Sequence, residues 1–583
     1  MAIKFGNDLD LEGYQIMNFV VHSSASAPAS PKGGMMWWDS TNKIMKYYNN
    51  TLGLWRCVVT GSAGIGVLVS DYTNLAAAVT ALGTTPVTLY INTPQIVTGN
   101  LTIPSTMALE ISSPNIITVN TGVTLTINGP LNAGLYRIFA GVGNVILGSA
   151  SVKEVYPEWW GAIADGTTDS SGAFQKANDS IITSGGKIQL GAGIYLASFI
   201  VDSFVTVTGL GINITKIKTP NNANKDTIQG RDFATLTGTI KAVPEDRGIR
   251  YFDLRDFTID GNKDNNTVGY GIRMWGCSLS FQNVIVQNCA EDGIWTEFTT
   301  HDDPTGSTDP SHEALESTFT NIKTLGNDGN GWTFKGPHDS VITNFITFGN
   351  GGWGLEQLTV NSNIKGSDWN SWLNTTGSFY VGSSMQVHDI VASGPYTGVG
   401  IELAAGTGSS KFTNLTIGGH LTGLILRGAD HIIHGQVLNC RNPLKTAGNG
   451  IEFDGSINCL LDVVMSGCFN YFKFTSEAGR SVIRGIVQHE VGETLFSPVM
   501  PNTDHINLVT NGAGAAGAQV VCFPIGTFTI AGWSPTFPLT NGHIPSSGEG
   551  TTGGAGSAGA GNQFVEIEVS GVKYKILHDG IIP

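Results

Sequence analysis

Apolar and polar residues alternate over a few positions again and again along this chain, and a glycine stands at the same place beside each alternation. The examples are Gly271-Ile272-Arg273, Gly293-Ile294-Trp295, Gly331-Trp332-Thr333, Gly354-Leu355-Glu356, Gly400-Ile401-Glu402, Gly423-Leu424-Ile425 and Gly450-Ile451-Glu452. Their glycines are 22, 38, 23, 46, 23 and 27 residues apart. A unit of 22 or 23 residues with insertions explains the series, and a fixed period of that length marks a stacked repeat. Alternate residues such as Ile272/Met274, Ile401/Leu403 and Ile451/Phe453 are apolar, which is strand periodicity. Each unit also holds an earlier strand, as in residues 284–286, 345–347, 415–417 and 462–464. No helical pattern lies between them. Strand pairs this short cannot bury an apolar face alone, so each coil needs the next one stacked on it. The pattern predicts a parallel β-solenoid organised around residues 269–497.

Aligning coils on the glycine points Ile272, Ile294, Trp332, Leu355, Ile401, Leu424 and Ile451 inward. The next residue then points outward, because side chains alternate along a strand. That outward column reads Arg273, Trp295, Thr333, Glu356, Glu402, Ile425, Glu452, and a second one reads Trp275, Glu297, Lys335, Leu358, Ala404, Arg427, Asp454. Coils stack about 4.8 Å apart. Glu356 and Glu402 are therefore expected on consecutive coils, and Glu297 one coil from Lys335. Two carboxylates about 5 Å apart have the spacing of a retaining glycosidase pair, whereas an inverting pair needs about 6.5–9.5 Å. Like charges that close raise one pKa and supply an acid near neutral pH. Glu356 and Glu402 are the candidate catalytic pair, with Glu297 in reserve. Trp275, Trp295, Arg273 and Lys335 are candidate substrate contacts. Two long gaps, Thr299–Glu313 and about Asn361–Ser384, read as insertions forming loops on one face, so that Trp353 and Trp372 can wall a groove beside Glu356. The same carboxylates also read as the ordinary polar exterior of a solenoid, and the loops as decoration or subunit contacts.

Composition narrows the class. Charged residues are 13% of the 583, about half the usual share, while 77 glycines are near twice it. Turn-dense β-structure accounts for both; 41% hydrophobic residues argue against disorder. Net charge is −15 and no Lys/Arg stripe is visible, which argues against nucleic acid. Of seven cysteines none forms a CxxC pair or a zinc spacing. Cys289, Cys440 and Cys468 fall at one place in their coils and are expected as free thiols stacked in the core. Unpaired cysteines fit synthesis in a reducing compartment. The first ten residues lack the features of a signal peptide, and no segment is apolar enough for membrane insertion. HExxH, GxSxG and phosphate-loop motifs are absent, and no metal site or cofactor is expected.

In chain order, residues 1–60 are polar and aromatic, with a hairpin expected between Met35–Trp38 and Lys43–Tyr48 around Asp39-Ser40-Thr41-Asn42. Residues 60–66 read as a joint. Residues 67–150 are β-rich, either the first coils or a separate small β-domain. In the segment from Pro157 to Ala177, Ser170 or Asp169 can cap a helix whose apolar face is Ala173, Phe174, Ala177 and Ile181, and Gly185-Gly186 ends it. Arg231, Arg247, Arg250, Arg255, Asp246, Asp253, Asp256 and Asp260 form a charge cluster read as surface salt bridges. Residues 505–583 hold Gly/Ala/Ser tracts and a terminal hairpin, Val565–Val569 with Lys573–Leu577, read as a cap or tip.

Gly161-Ala162, Asp165-Gly166, Thr168-Asp169 and the short helix, followed by strand, glycine and Tyr195, resemble the opening motif of the pectate-lyase-like superfamily. The likeness is good over about residues 85–220, and the later coils fit the same right-handed parallel β-helix. Asp165 and Asp169 belong to that motif and are read as turn residues that bind backbone N–H groups. Leu9-Asp10-Leu11-Glu12-Gly13-Tyr14-Gln15-Ile16, with Trp37-Trp38-Asp39 and Lys46-Tyr47-Tyr48-Asn49, is similar to the virion-attachment modules of phage tail proteins. Together these segments resemble a bacteriophage tailspike. The resemblance implies an all-β chain divided into a virion-attachment domain at 1–60, a neck or first coils at 67–150, a right-handed β-helix at 151–500 and a cap at 505–583. It implies a homotrimer made in the host cytoplasm and carried on the virion. Residues 1–60 would dock it to a tail, baseplate or adaptor protein, and its β-helix would grip, and in many members cleave, a host surface polysaccharide. Hydrolase, lyase and non-catalytic receptor-binding fibre remain alternatives.

Overall fold

The computed structural model describes residues 22–41, 44–49, 54–57, 66–231, 233, 249–297, 316–337, 339–358, 364–475, 481–489, 493–497, 505–512, 518–522, 527–528, 537–538, 563–569 and 572–578. The chain divides into two compact units, residues 1–153 with 159–161, and residues 154–158 with 162–583.

In the first unit the expected hairpin is present: Met36–Asp39 pairs antiparallel with Ile44–Asn49, and Leu54–Cys57 adds a third strand. A helix that the alternation did not predict, Leu75–Leu82, follows. Its Asn74 cap accepts the Ala77 N–H at 2.9 Å, and Leu75, Ala78, Val79 and Leu82 are buried. Its run of Ala and Leu was masked by the β-rich text around it. Next come short coils of three strands each. Val87–Ile91, Met107–Ile111 and Leu131–Ala133 stack in parallel, as do Gln95–Val97, Ile117–Val119 and Phe139–Ala140, and Leu101–Ile103, Thr124–Ile127 and Asn144–Leu147.

Early in the second unit the strand Asp165–Asp169 leads into the helix Ser171–Ser180. The Asp169 carboxylate accepts the Ser171 N–H at 2.9 Å, and Asp165 accepts the N–H groups of Thr167 and Thr168 at 2.8 and 2.7 Å, so both aspartates are turn residues. From Ile249–Asp260 onward each coil has two strands and the chain is a parallel β-helix. One sheet is built of long strands, Thr318–Leu325, Val341–Phe348, Ile364–Trp372, Met385–Ser393, Lys411–Gly418, Ile432–Leu438, Leu460–Ser466 and Val482–His489, kinked as far as Lys411–Gly418. The kink is a column of residues in the left-handed region, Asp256, Asn283, Asn321, Asn344, Asp368, Asp389 and Asn414, with φ between 51 and 62°. Asn and Asp tolerate that conformation better than other non-glycine residues. The other sheet is built of short strands: Ile294–Glu297, Trp332–Lys335, Trp353–Gln357, Gly377–Val381, Val399–Leu403, Thr422–Leu426, Asn449–Phe453 and Asn470–Phe474.

All seven residues expected to point inward are fully buried. Trp332 and Trp369 fill the centre, their indole N–H groups donating to Thr296 Oγ1 at 3.0 Å and the Ile342 carbonyl at 2.9 Å. Cys289, Cys440 and Cys468 are buried free thiols as expected, but they do not form one stack. Only Cys440 and Cys468 are neighbours. Between them and Cys289 the interior turn is occupied by Asn327, Asn350, Asn374 and His420, and the Asn350 amide accepts from Asn327 at 2.9 Å and donates to Asn374 at 2.8 Å. Of the charge cluster, Arg231 pairs with Asp202 and Asp179 and Arg255 with Asp253, while Arg247 and Asp246 lie outside the described residues. The terminal hairpin is present as Gln563–Val569 with Val572–His578.

His420 lies wholly inside, Nε2 at 3.3 Å from Ser378 Oγ, and burial pushes its pKa down to about 4. The folded state thus refuses a proton that the unfolded chain takes up below about pH 6.5. Stability associated with this residue is full above that pH and falls progressively between about 6.5 and 4, by on the order of 3 kcal/mol. Urea midpoints measured at pH 7 and 4.5 should converge in His420→Gln relative to the parent chain. Equal acid sensitivity in both proteins would refute the assignment.

Candidate active site

The outer face of the short-strand sheet carries the candidate residues, and the register decides which of them meet. Arg273, Trp295, Thr333, Glu356, Tyr380, Glu402, Ile425, Glu452 and Lys473 form one column. Beside it Trp275, Glu297 and Lys335 form another, with Glu297 one coil from Lys335 as expected. Glu356 and Glu402, however, are not on consecutive coils. Glu356 pairs with Tyr380 and Tyr380 with Glu402, so a whole rung separates the two carboxylates. Their backbones stand about 9.6 Å apart rather than about 5 Å.

The cause is a displaced glycine. At the glycine corners a Cβ would strike the next coil: at Gly293 it would meet the Gly331 carbonyl at 2.7 Å, and at Gly354 the Ser378 carbonyl at 2.6 Å. Ser378 occupies that corner in the overlooked coil, with Gly377 one position earlier, paired with Trp353. The gap of 46 residues is therefore two regular units. The stretch read as an inserted loop, about Asn361–Ser384, instead holds the two strands Ile364–Trp372 and Gly377–Val381 of a regular coil. Trp372 consequently belongs to the kinked sheet and does not wall a groove beside Glu356. Thr299–Glu313 lies outside the described residues.

Two more candidates are placed differently from expectation. Trp275 is only 4% exposed, packed with Phe233 and Cys277, and offers no face to a ligand. Glu297 is 5% exposed and accepts the Trp295 indole N–H at 3.1 Å, which ties it to holding that ring. Trp295 itself is half-buried. The Lys335 ammonium sits 4.2 Å from its ring centroid, and Arg273 lies 4.8 Å from the Tyr270 ring and 4.3 Å from that of Phe233.

Around Glu356 the structure assembles a network that spacing alone did not reveal. Asn330 Oδ1 accepts the Trp353 N–H at 2.7 Å, which fixes the orientation of the amide. Asn330 Nδ2 then donates to Glu356 Oε2 at 2.7 Å and to Thr333 Oγ1 at 2.9 Å. Thr333 donates to Asp292 Oδ2 at 2.7 Å, and Asp292 Oδ1 accepts the Asn330 N–H at 2.7 Å. Burial raises the Asp292 carboxyl above its ordinary range, the charges of Glu356 and Glu291 add to that, and the two hydrogen bonds oppose it. Trp353 packs on Tyr380 with ring centroids 5.6 Å apart. Burial, then the charges of Glu402 and Glu356, raise the Tyr380 hydroxyl, so it remains a protonated donor at neutral pH. Arg427 bonds Glu402 at 2.5 Å and Asp454 at 2.7 Å. Asp292, Asn330 and Trp353 each stand two residues before an inward residue, and reading that third column would have brought Asp292 and Asn330 forward from the sequence. Among the described residues no group of three or more His, Cys, Asp or Glu side chains is disposed to hold a metal ion.

No protein-family model matches the chain, and no curated protein matches it. Several solved structures do. A mannuronan C-5 epimerase A-module of Azotobacter vinelandii is 16% identical, with 61% of this chain and 99% of that one covered and a TM-score of 0.41. The ORF18 protein of Geobacillus virus E2 is 13% identical, with 86% and 75% covered and a TM-score of 0.36. The tailspike protein gp49 of Acinetobacter baumannii bacteriophage Fri1, a capsular polysaccharide depolymerase, is 12% identical, with 64% and 65% covered and a TM-score of 0.37. The chain's own strand register, with parallel pairs running from coil to coil, is what makes it an all-β parallel β-helix.

Proposed function

We propose that this chain is a phage tail protein whose β-helix binds a bacterial surface polysaccharide and cleaves it by hydrolysis, with residues 1–60 as its attachment to the tail. The supporting observation is the column Glu356, Tyr380, Glu402 on one face. It lies in a strip nine coils long, about 40 Å, in which every side chain but Ile425 is polar or aromatic, with Trp295 half-exposed along it and Trp353, 9% exposed, packed beneath Tyr380. Backbones two rungs apart are too wide for a nucleophile and acid acting on one anomeric carbon, and come near the upper limit for a pair that admits water between them once both side chains turn from Asn330 and Arg427 toward the gap. The mechanism assigned is therefore inverting. Glu402, paired with Arg427, acts as the base that takes a proton from water. Glu356 gives a proton to the leaving oxygen, and Tyr380 donates a hydrogen bond to the sugar between them.

One observation favours a second reading, a receptor-binding fibre without activity: Glu356 leans to Asn330 on the coil before and Glu402 to Arg427 on the coil after, away from the gap. Incubation with purified host polysaccharide separates the two. Hydrolysis shortens the glycan and releases reducing ends whose first-formed anomer, read by proton NMR, is inverted. An eliminating lyase gives ultraviolet-absorbing ends, and binding without shortening leaves the fibre reading alone.

A further inference from the structure

Glu297 and Lys335 face each other on successive coils, where opposite charges ordinarily pair. Here both are diverted onto Trp295. The Glu297 carboxylate takes the indole N–H at 3.1 Å, and the Lys335 ammonium rests over the ring, 4.2 Å from its centroid. The other cations of this sheet face have carboxylate partners: Arg427 has Glu402 and Asp454, Lys473 has Glu452 at 3.1 Å, and Arg273 has Asp226 at 3.7 Å. Among the described residues no carboxylate pairs with Lys335. A cation resting on a ring keeps its N–H donors available to a further partner. Arg273 stands one rung before Trp295 in the same column, its guanidinium against the rings of Phe233 and Tyr270. Tyr270 in turn meets Trp295 edge to face, with centroids 5.6 Å apart. A half-buried indole is thus bracketed by two cations, in a chain of net charge −15 whose surface otherwise repels anions.

We propose that Trp295, Lys335 and Arg273 form a subsite for a sugar that carries a carboxylate, a reading that rests on the polysaccharide function above. The C–H face of the sugar lies on the indole. The ammonium, on its flexible stem, leaves the ring for the carboxylate, and Arg273 offers a second donor from the rung before. A hydrogen bond between two charged groups is about twice as strong as a neutral one, which offsets the lost contact with the ring. The surroundings admit one negative charge and disfavour two. Burial, then the charges of Glu291, Asp292 and Asp226, raise the Tyr270 hydroxyl to about 12 against the opposing charge of Arg273, and the same carboxylates would repel a phosphate dianion. Trp295 stands two rungs, about 9.6 Å, from Glu356 in its column. The acidic sugar is therefore held beside the cleaved linkage and not at it. Its part is in affinity and in the choice of glycan.

The test labels the full chain with 5-fluorotryptophan and assigns the Trp295 fluorine resonance by its loss in Trp295→Phe. Sodium glucuronate, its neutral methyl ester and sodium phosphate are then titrated at constant ionic strength. Glucuronate is expected to shift the Trp295 resonance saturably with a midpoint of about 1–10 mM, at least tenfold below that of the ester. Lys335→Gln should bring acid and ester together, while Lys335→Arg should keep the preference for the acid. No saturable shift with glucuronate up to about 100 mM would overturn the proposal. So would equal midpoints for acid and ester, a preference that survives in Lys335→Gln, or a shift by phosphate over the same range as glucuronate. Equal binding of acid and ester would remove this subsite and leave the polysaccharide reading standing. Preferential binding of the acid by a chain that shortens no glycan would keep the subsite and remove hydrolysis.

Discussion

Glu356→Gln is expected to lower the release of reducing ends from host polysaccharide by about 10²–10⁴-fold while the glycan still binds. The amide keeps the shape of the carboxylate and can still accept the Asn330 Nδ2–H through its oxygen, so the thermal midpoint should stay within a degree or two. What disappears is the exchangeable proton at that position. Glu402→Gln should fall comparably, because removing the base leaves water unactivated and Arg427 facing only Asp454. Steady-state reducing-end assays beside a pull-down on the same polysaccharide measure both effects. Full activity in Glu356→Gln would remove this residue from the mechanism, and full activity in both variants would remove the pair.

Asn350→Ala is expected to be the most damaging small substitution in the interior. Asn350 is fully buried, and its side chain accepts from the Asn327 N–H at 3.1 Å and from Asn327 Nδ2 at 2.9 Å, while donating to Thr347 Oγ1 at 2.9 Å and Asn374 Oδ1 at 2.8 Å. Truncation strands both the N–H and the Nδ2 donor of Asn327 on the coil before, with no solvent to satisfy them, while Asn374 Oδ1 keeps only the Asn350 backbone N–H at 3.0 Å. Each buried orphan costs about 1–3 kcal/mol, so a loss of about 4 kcal/mol is expected in chemical denaturation. In a solenoid that loss falls on the coupling between neighbouring coils, and opening should begin there. Hydrogen exchange should show strands Thr318–Leu325 and Ile364–Trp372 losing protection first. A loss below 1 kcal/mol would mean that the amide ladder contributes little.

Much of this architecture was legible because one physical rule repeats. Strand alternation together with a corner glycine identified the inward residues from Ile272 to Ile451, and the helix after Asp169 followed from its cap and apolar face. The candidate site was legible in content and wrong in register. Counting coils by glycine works only where glycine keeps its place, and at Ser378 the corner accepts a side chain that points towards His420. That single exception hid the rung of Tyr380, turned an ordinary coil into a supposed insertion, and moved Trp372 to the wrong sheet. Burial was the other blind spot. Alternation says which side of a strand Trp275 and Glu297 occupy, but not that Phe233 packs against the first and the Trp295 indole engages the second.

The extra rung between positions 356 and 402 has a wider consequence. In a scaffold of stacked turns, the backbone distance between two positions in one file is quantised: it can be one step or two, and nothing between. Changing the backbone spacing of positions 356 and 402 takes the gain or loss of an entire turn of about 23 residues, with the contacts of Tyr380 to Trp353 and of Ser378 to His420 that belong to it.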